Sequence, residues 1–129
     1  MANGPLRSPL GRALGLGSAK EGVEHWWLQR VTAVALVPLS LWFVAGLIGH
    51  LGGDRDAVAT WLRSPLVSAG VVLLVISTFA HMALGVQVVI EDYVHHEGAK
   101  LASILVVKFA AWALAAAAVI AVLRVAFGG

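Results

Sequence analysis

The stretch His81-Met82-Ala83-Leu84-Gly85-Val86-Gln87-Val88-Val89-Ile90-Glu91-Asp92-Tyr93 begins with the only histidine deep inside a long apolar run and ends where that run meets charge. An ionisable side chain held in a membrane core is expensive, so its presence there marks a functional site. A buried imidazole can ligate a metal, relay a proton or hydrogen-bond a neighbouring helix. His81 and Asp92 are eleven positions apart. In a helix that spacing is roughly 20° of azimuth and about 16 Å along the axis, so the two share one face. Gly85 lies one turn beyond His81, with Ser77 and Thr78 on the turn before. A missing side chain beside the imidazole lets a flat macrocycle, or another helix, approach closely.

The candidate chemistries differ in what they demand. Zinc asks for three or four protein ligands, and no second His, Asp, Glu or Cys lies at the depth of His81. Haem iron asks for only one or two axial ligands, and imidazole is the commonest metal ligand. His50 closes the preceding apolar run at the opposite face, about 22 Å from the depth of His81. A second axial ligand is therefore expected from another polypeptide. The plainer alternative is a histidine that only packs, hydrogen-bonded to a Ser, a Thr or a carbonyl of a neighbouring helix.

Asp92 and Tyr93 follow the last apolar residues, and Arg30 is expected at the corresponding level of the first span. Acid, phenol and guanidinium at a membrane edge can hydrogen-bond a quinone head group and supply protons for its reduction. The same residue types are also ordinary flank residues of a span. His25, His95 and His96 read as solvated flank residues, and Lys108 as a side chain that snorkels to the interface.

The elements that must position these groups follow from composition. With 129 residues, 60% of them hydrophobic and 12% charged, and a mean hydropathy of +0.88, the chain is too apolar for a soluble core and reads as an integral membrane protein. The sequence predicts an all-α fold of three transmembrane helices, about 26–50, 66–92 and 101–127, forming a single domain over 1–129. Each run meets the requirement of about 20 apolar residues. Trp26 and Trp27 beside Arg30 are interfacial anchors, and Pro38 is of the kind that membrane helices tolerate. Gly49 to Pro65 reads as a short polar connection and Glu91 to Lys100 as a polar loop. The alanine-rich middle of the third span, Ala110 to Ala118, suits close helix packing. Residues 1–20, with two prolines, four glycines and no acid, read as a flexible cytoplasmic extension and not as an amphipathic transit helix.

With 9 Lys+Arg against 7 Asp+Glu, the charge balance gives no face for nucleic acid. The absence of cysteine excludes disulfides, thiolate metal sites and iron–sulfur clusters held by this chain. Arg7, Arg12, Lys20, Arg30 and Lys100 fall on the N-terminal side of the membrane, and Arg55, Arg63 and Arg124 on the other. That excess places the N-terminus inside.

Gly22-Val23-Glu24-His25-Trp26-Trp27-Leu28-Gln29-Arg30-Val31-Thr32-Ala33, together with His81-x-x-x-Gly85-x-Gln87 running into Asp92-Tyr93-Val94, resembles the small hydrophobic membrane-anchor subunit of succinate dehydrogenase, respiratory complex II. The resemblance implies a haem b sandwiched between two membrane subunits. The histidine matching His81 gives one axial ligand and a large cytochrome b subunit the other. It implies that the tyrosine matching Tyr93 hydrogen-bonds ubiquinone with the aspartate matching Asp92 beside it. The arginine matching Arg30 would lie near the haem propionates and the quinone pocket. Succinate oxidation would belong to a flavoprotein subunit and an iron–sulfur subunit, in agreement with the lack of cysteine and of a Gly-rich nucleotide loop. The expected location is the bacterial inner membrane in preference to the mitochondrial one. The anchor of a quinol:fumarate reductase and a haem-free structural or assembly subunit are the alternatives.

Overall fold

The computed structural model describes residues 18–128, with side chains from Gly22 onward. Among the described residues there are four helices: α1 (Ser18–Gly49), α2 (Arg55–Arg63), α3 (Pro65–Tyr93) and α4 (Glu97–Phe127). The helices α1, α3 and α4 are each long and apolar enough to cross a membrane, as the sequence predicts. No strand occurs among the described residues.

Two helices begin earlier than hydropathy alone suggests. The first continues back to Ser18 because Ala19, Lys20 and Glu21 are good helix formers despite their polarity. Helicity at Ser18–Lys20 corrects the reading of 1–20 as wholly non-helical; the rest of that segment lies outside the described residues. The start of α4 is set by His96, whose Nδ1 accepts a hydrogen bond from the Ala99 amide at 3.1 Å, with Glu97 in the first turn. Pro38 is accommodated inside α1 without ending it.

The connection between the first two spans is also more ordered than its glycines suggest. Asp54 caps α2 by accepting from the Ala57 amide at 3.0 Å, and Asp56 and Arg63 sit at the ends that the helix dipole favours for each. One face of this short helix is apolar. Its Trp61 stacks on His50 with ring centroids 4.9 Å apart, and packs against Phe43 and Trp42 at 5.9 and 6.1 Å.

In the row of spans α3 is central, with α1 packed on one side and α4 on the other. The most enclosed residues are small or polar: Thr32, Ser68, Val71, Gln87, Ala111 and Ala115. Large apolar side chains lie outside; Val34 is 72% exposed and Leu66 82%. This distribution is that of a membrane bundle, where close backbone approach and hydrogen bonds hold helices together and the apolar exterior meets lipid or other subunits.

Glycines make the tightest approaches. A Cβ on Gly70 would come 2.8 Å from the Trp42 ring, and one on Gly46 would strike the Trp61 ring. Trp61 is held among three other rings and has little room to retreat. Gly46→Val is therefore expected to loosen α2 from α1 and lower stability by about 1–3 kcal/mol, the usual cost of overpacking. Thermal melting of the assembled complex checks this, and Trp61→Leu in the same chain is expected to recover part of the loss.

Candidate functional site

His81 lies on the face of α3 that meets α1. Its Nδ1 is 3.0 Å from Thr32 Oγ1. The Thr32 hydroxyl has a single proton, which it donates back along its own helix to the carbonyls of Leu28 at 2.8 Å and Gln29 at 3.0 Å. The oxygen is then left to accept from His81, so Nδ1 carries the imidazole proton and Nε2 keeps its lone pair. Nε2 makes no hydrogen bond to the described residues. An imidazole with Nδ1–H tied to an oxygen and Nε2 open is the arrangement that orients a histidine for a metal.

The surroundings of the imidazole come from both helices. A Cβ on Gly85 would meet only Gln29 Nε2, at 3.9 Å, so the helix surface beside His81 is flat where the sequence predicts it. Thr78 does not contact the ring; its hydroxyl donates to the Leu74 carbonyl at 2.7 Å. Thr32 supplies the polar partner that the sequence leaves unspecified among Ser, Thr and carbonyl. In the sequence it looks like a filler of the first span, and only the register between helices identifies its role.

That register also moves Arg30. Gln29 faces Gly85 and Thr32 faces His81, so Arg30 belongs to the level between His81 and Gly85. The expectation that it lies level with Asp92 and Tyr93 is corrected by about 12 Å along the axis. The physical reason is the length of α1 beyond Arg30, which runs about three further turns toward its start at Ser18. The guanidinium of Arg30 leans back over the Trp26 ring, 5.4 Å from its centroid, a cation–π contact between residues one turn apart.

Asp92 and Tyr93 end α3, both exposed, with Tyr93 at 77%. They directly follow Glu91, which accepts a hydrogen bond from Gln87 Nε2 at 2.9 Å. His50 takes no part in the His81 site. Its Nδ1 bonds the Gly46 carbonyl at 2.7 Å and its ring lies against Trp61, as its distance in depth requires. On another flank of α3, His25, Gln87 and Lys108 line one end of a mostly apolar cavity of about 250 Å³ between α1 and α4. The sequence leaves these three residues separate. No group of three or more potential metal ligands occurs among the described residues, so a metal at His81 would have to be one that needs few protein ligands.

Three apolar spans with most of their large side chains outside define a small polytopic membrane protein. The family described as succinate dehydrogenase/fumarate reductase transmembrane subunit matches residues 5–122. The chain is 36% identical over 103 residues to a succinate dehydrogenase hydrophobic membrane anchor subunit of Rickettsia bellii, covering 80% of this chain and 82% of the relative. It is 35% identical over 121 residues to the subunit of the same description from Paracoccus denitrificans, covering 94% and 93%. A succinate dehydrogenase membrane anchor subunit of Reclinomonas americana is 30% identical over 92 residues, covering 69% and 77%. No solved structure gives a significant match. The chain belongs to this family, as a hydrophobic membrane-anchor subunit of succinate dehydrogenase.

The hydrogen bond at Thr32 is testable without reference to any ligand. Thr32→Val keeps the shape and leaves the His81 Nδ1–H unpaired, which is expected to cost about 1–3 kcal/mol. Thr32→Ser, which keeps the hydroxyl, is expected to restore most of it. Thermal unfolding of the complex containing each variant measures the difference.

Proposed function

We propose that this chain holds one side of a haem b through His81 and completes a ubiquinone-reduction site with Tyr93 and Asp92, within a succinate:ubiquinone oxidoreductase. The observation that carries the reading is the Thr32–His81 hydrogen bond at 3.0 Å. It presents an unprotonated Nε2 to whatever lies against α3, as an axial imidazole must. Gly85 adds a flat surface one turn away, and Arg30, at the level between the two, brings a permanent cation within reach of a propionate. Haem b, when bound, supplies a one-electron carrier between the protein's donor side and quinone.

A large cytochrome b subunit would supply the haem's other protein ligand, since no other histidine of this chain lies at the depth of His81. At the membrane edge the Tyr93 hydroxyl donates a hydrogen bond to a quinone carbonyl oxygen. Asp92 beside it relays protons, which quinone reduction consumes together with electrons. The exposure of both side chains supports a site completed by neighbouring subunits. A flavoprotein subunit oxidises succinate and an iron–sulfur subunit delivers the electrons, while this chain takes no direct part in succinate chemistry. Its place is the bacterial cytoplasmic membrane, with the N-terminus inside.

His81→Ala is expected to remove or shift the reduced b-type haem bands of the purified complex. Unaltered bands would show that His81 is not a ligand and only packs. Tyr93→Phe keeps the ring and removes the hydroxyl, so succinate:quinone activity is expected to fall about tenfold or more, the worth of one hydrogen bond of ~1.4 kcal/mol made in the transition state. Succinate oxidation with an artificial acceptor that draws on the peripheral subunits is expected to stay normal. Unchanged quinone reduction in an intact complex would refute the role given to Tyr93.

A further inference from the structure

On the side of the membrane opposite Tyr93, the arginines of three separate places in the chain meet. Arg55 opens α2, Arg63 closes it and Arg124 lies in the last turn of α4. All three line one open cleft of about 640 Å³ between α2 and the end of α4. The single acid lining it is Asp56, and the only ion pair among the described residues is elsewhere, between Lys100 and Glu97. Three guanidinium groups around one cleft repel each other unless an anion joins them.

Arg63 belongs to a second cavity as well. This one, of about 490 Å³, is an apolar groove between the start of α3 and the end of α4, lined by Leu73, Leu123, Ala126 and Phe127 among others. From Pro65 to Leu73 the groove runs about 12 Å down the axis of α3, into the hydrocarbon layer. A basic cleft at the end of the bundle thus continues, through a shared arginine, into an apolar groove that descends between two spans. The short amphipathic α2 is of the kind that lies in the interface plane, where lipid head groups are.

We propose that the cleft and groove together bind a single anionic phospholipid of the leaflet on the α2 side. Its phosphate would lie among Arg55, Arg63 and Arg124, and one acyl chain would lie along the groove between α3 and α4. A guanidinium fork matches phosphate oxygens in pairs. An acidic segment of another subunit could satisfy the arginines but would leave the apolar groove beneath them unfilled. A lipid satisfies both with one molecule. The inference is independent of the haem and quinone reading, because it uses the other face of the membrane and none of the same residues.

The purified complex, stripped of lipid by detergent exchange, is titrated with phosphatidylglycerol or phosphatidylcholine of identical chains and followed by native mass spectrometry. The wild-type complex is expected to retain one phosphatidylglycerol in preference to phosphatidylcholine. Each of Arg55→Gln, Arg63→Gln and Arg124→Gln is expected to weaken that binding about fivefold, and the triple variant about a hundredfold. Should the triple variant fail to assemble, Asp56→Asn tests the same electrostatics in the other direction, and is expected to strengthen retention. Ala126→Phe, which fills the groove and leaves the arginines in place, is expected to weaken it. Equal retention of the two lipids would overturn the proposal, as would arginine variants that bind like wild type. Displacement of the lipid by millimolar inorganic phosphate would show a simple anion site, and an acidic peptide of a partner cross-linked in the cleft would show a protein one; either result overturns it too.

Discussion

The Thr32–His81 hydrogen bond fixes two things at once. It sets the height at which α1 and α3 pass each other, and it decides which imidazole nitrogen carries the proton. Both consequences come from one fact, that a threonine hydroxyl inside a helix gives its only proton to the turn below and can then only accept. Once Thr32 faces His81, Gln29 must face Gly85 and Trp42 must face Gly70, and each of those pairings is observed. The alignment of the first two spans is therefore not separable from the orientation of the candidate ligand.

This coupling matters because the bundle has little else to set its register. Lipid chains are as apolar as leucine, so burying large apolar side chains gives no preference for one helix alignment over another. The enclosed positions are filled by small and polar residues, and the large ones remain on the outside for lipid or for partner subunits. Specific height comes instead from pairs that fit only once, such as a glycine against a tryptophan ring or a hydroxyl against an imidazole. Trp61 extends the same device to α2, held by rings of the first span and by the bare backbone at Gly46.

Much of this was legible in the residues. Hydropathy marks three spans, and helical spacing puts His81, Gly85 and Asp92 on one face, because both signals depend only on separations along one chain. The level of Arg30 was not legible, since it depends on how α1 slides against α3, and nothing in the periodicity of either helix contains that offset. The partner of His81 was narrowed to a class, and Thr32 was hidden by its place among apolar neighbours. The helix α2 was missed for a different reason. It is short and follows Gly52-Gly53, and its order comes from the Asp54 cap and from burial of Trp61, a contact between segments that hydropathy does not register. The joint site of His25, Gln87 and Lys108 was likewise invisible, since its members lie on three different helices.

What the chain leaves open is as structured as what it closes. The buried side-chain oxygens Oε1 of Gln29 and Gln87 have no hydrogen-bond partner among the described residues, and a buried polar atom without one costs about 1–3 kcal/mol. Gln29 lies against Gly85, and Gln87 gives its amino group to Glu91, which fixes the amide so that the oxygen is the end left over. His81 and Gln29 lie where α3 meets α1, whereas Gln87 lines the flank toward α4, so the open polar groups fall on two sides of α3. Buried polar atoms without a partner among the described residues suit an assembly in which further subunits supply one.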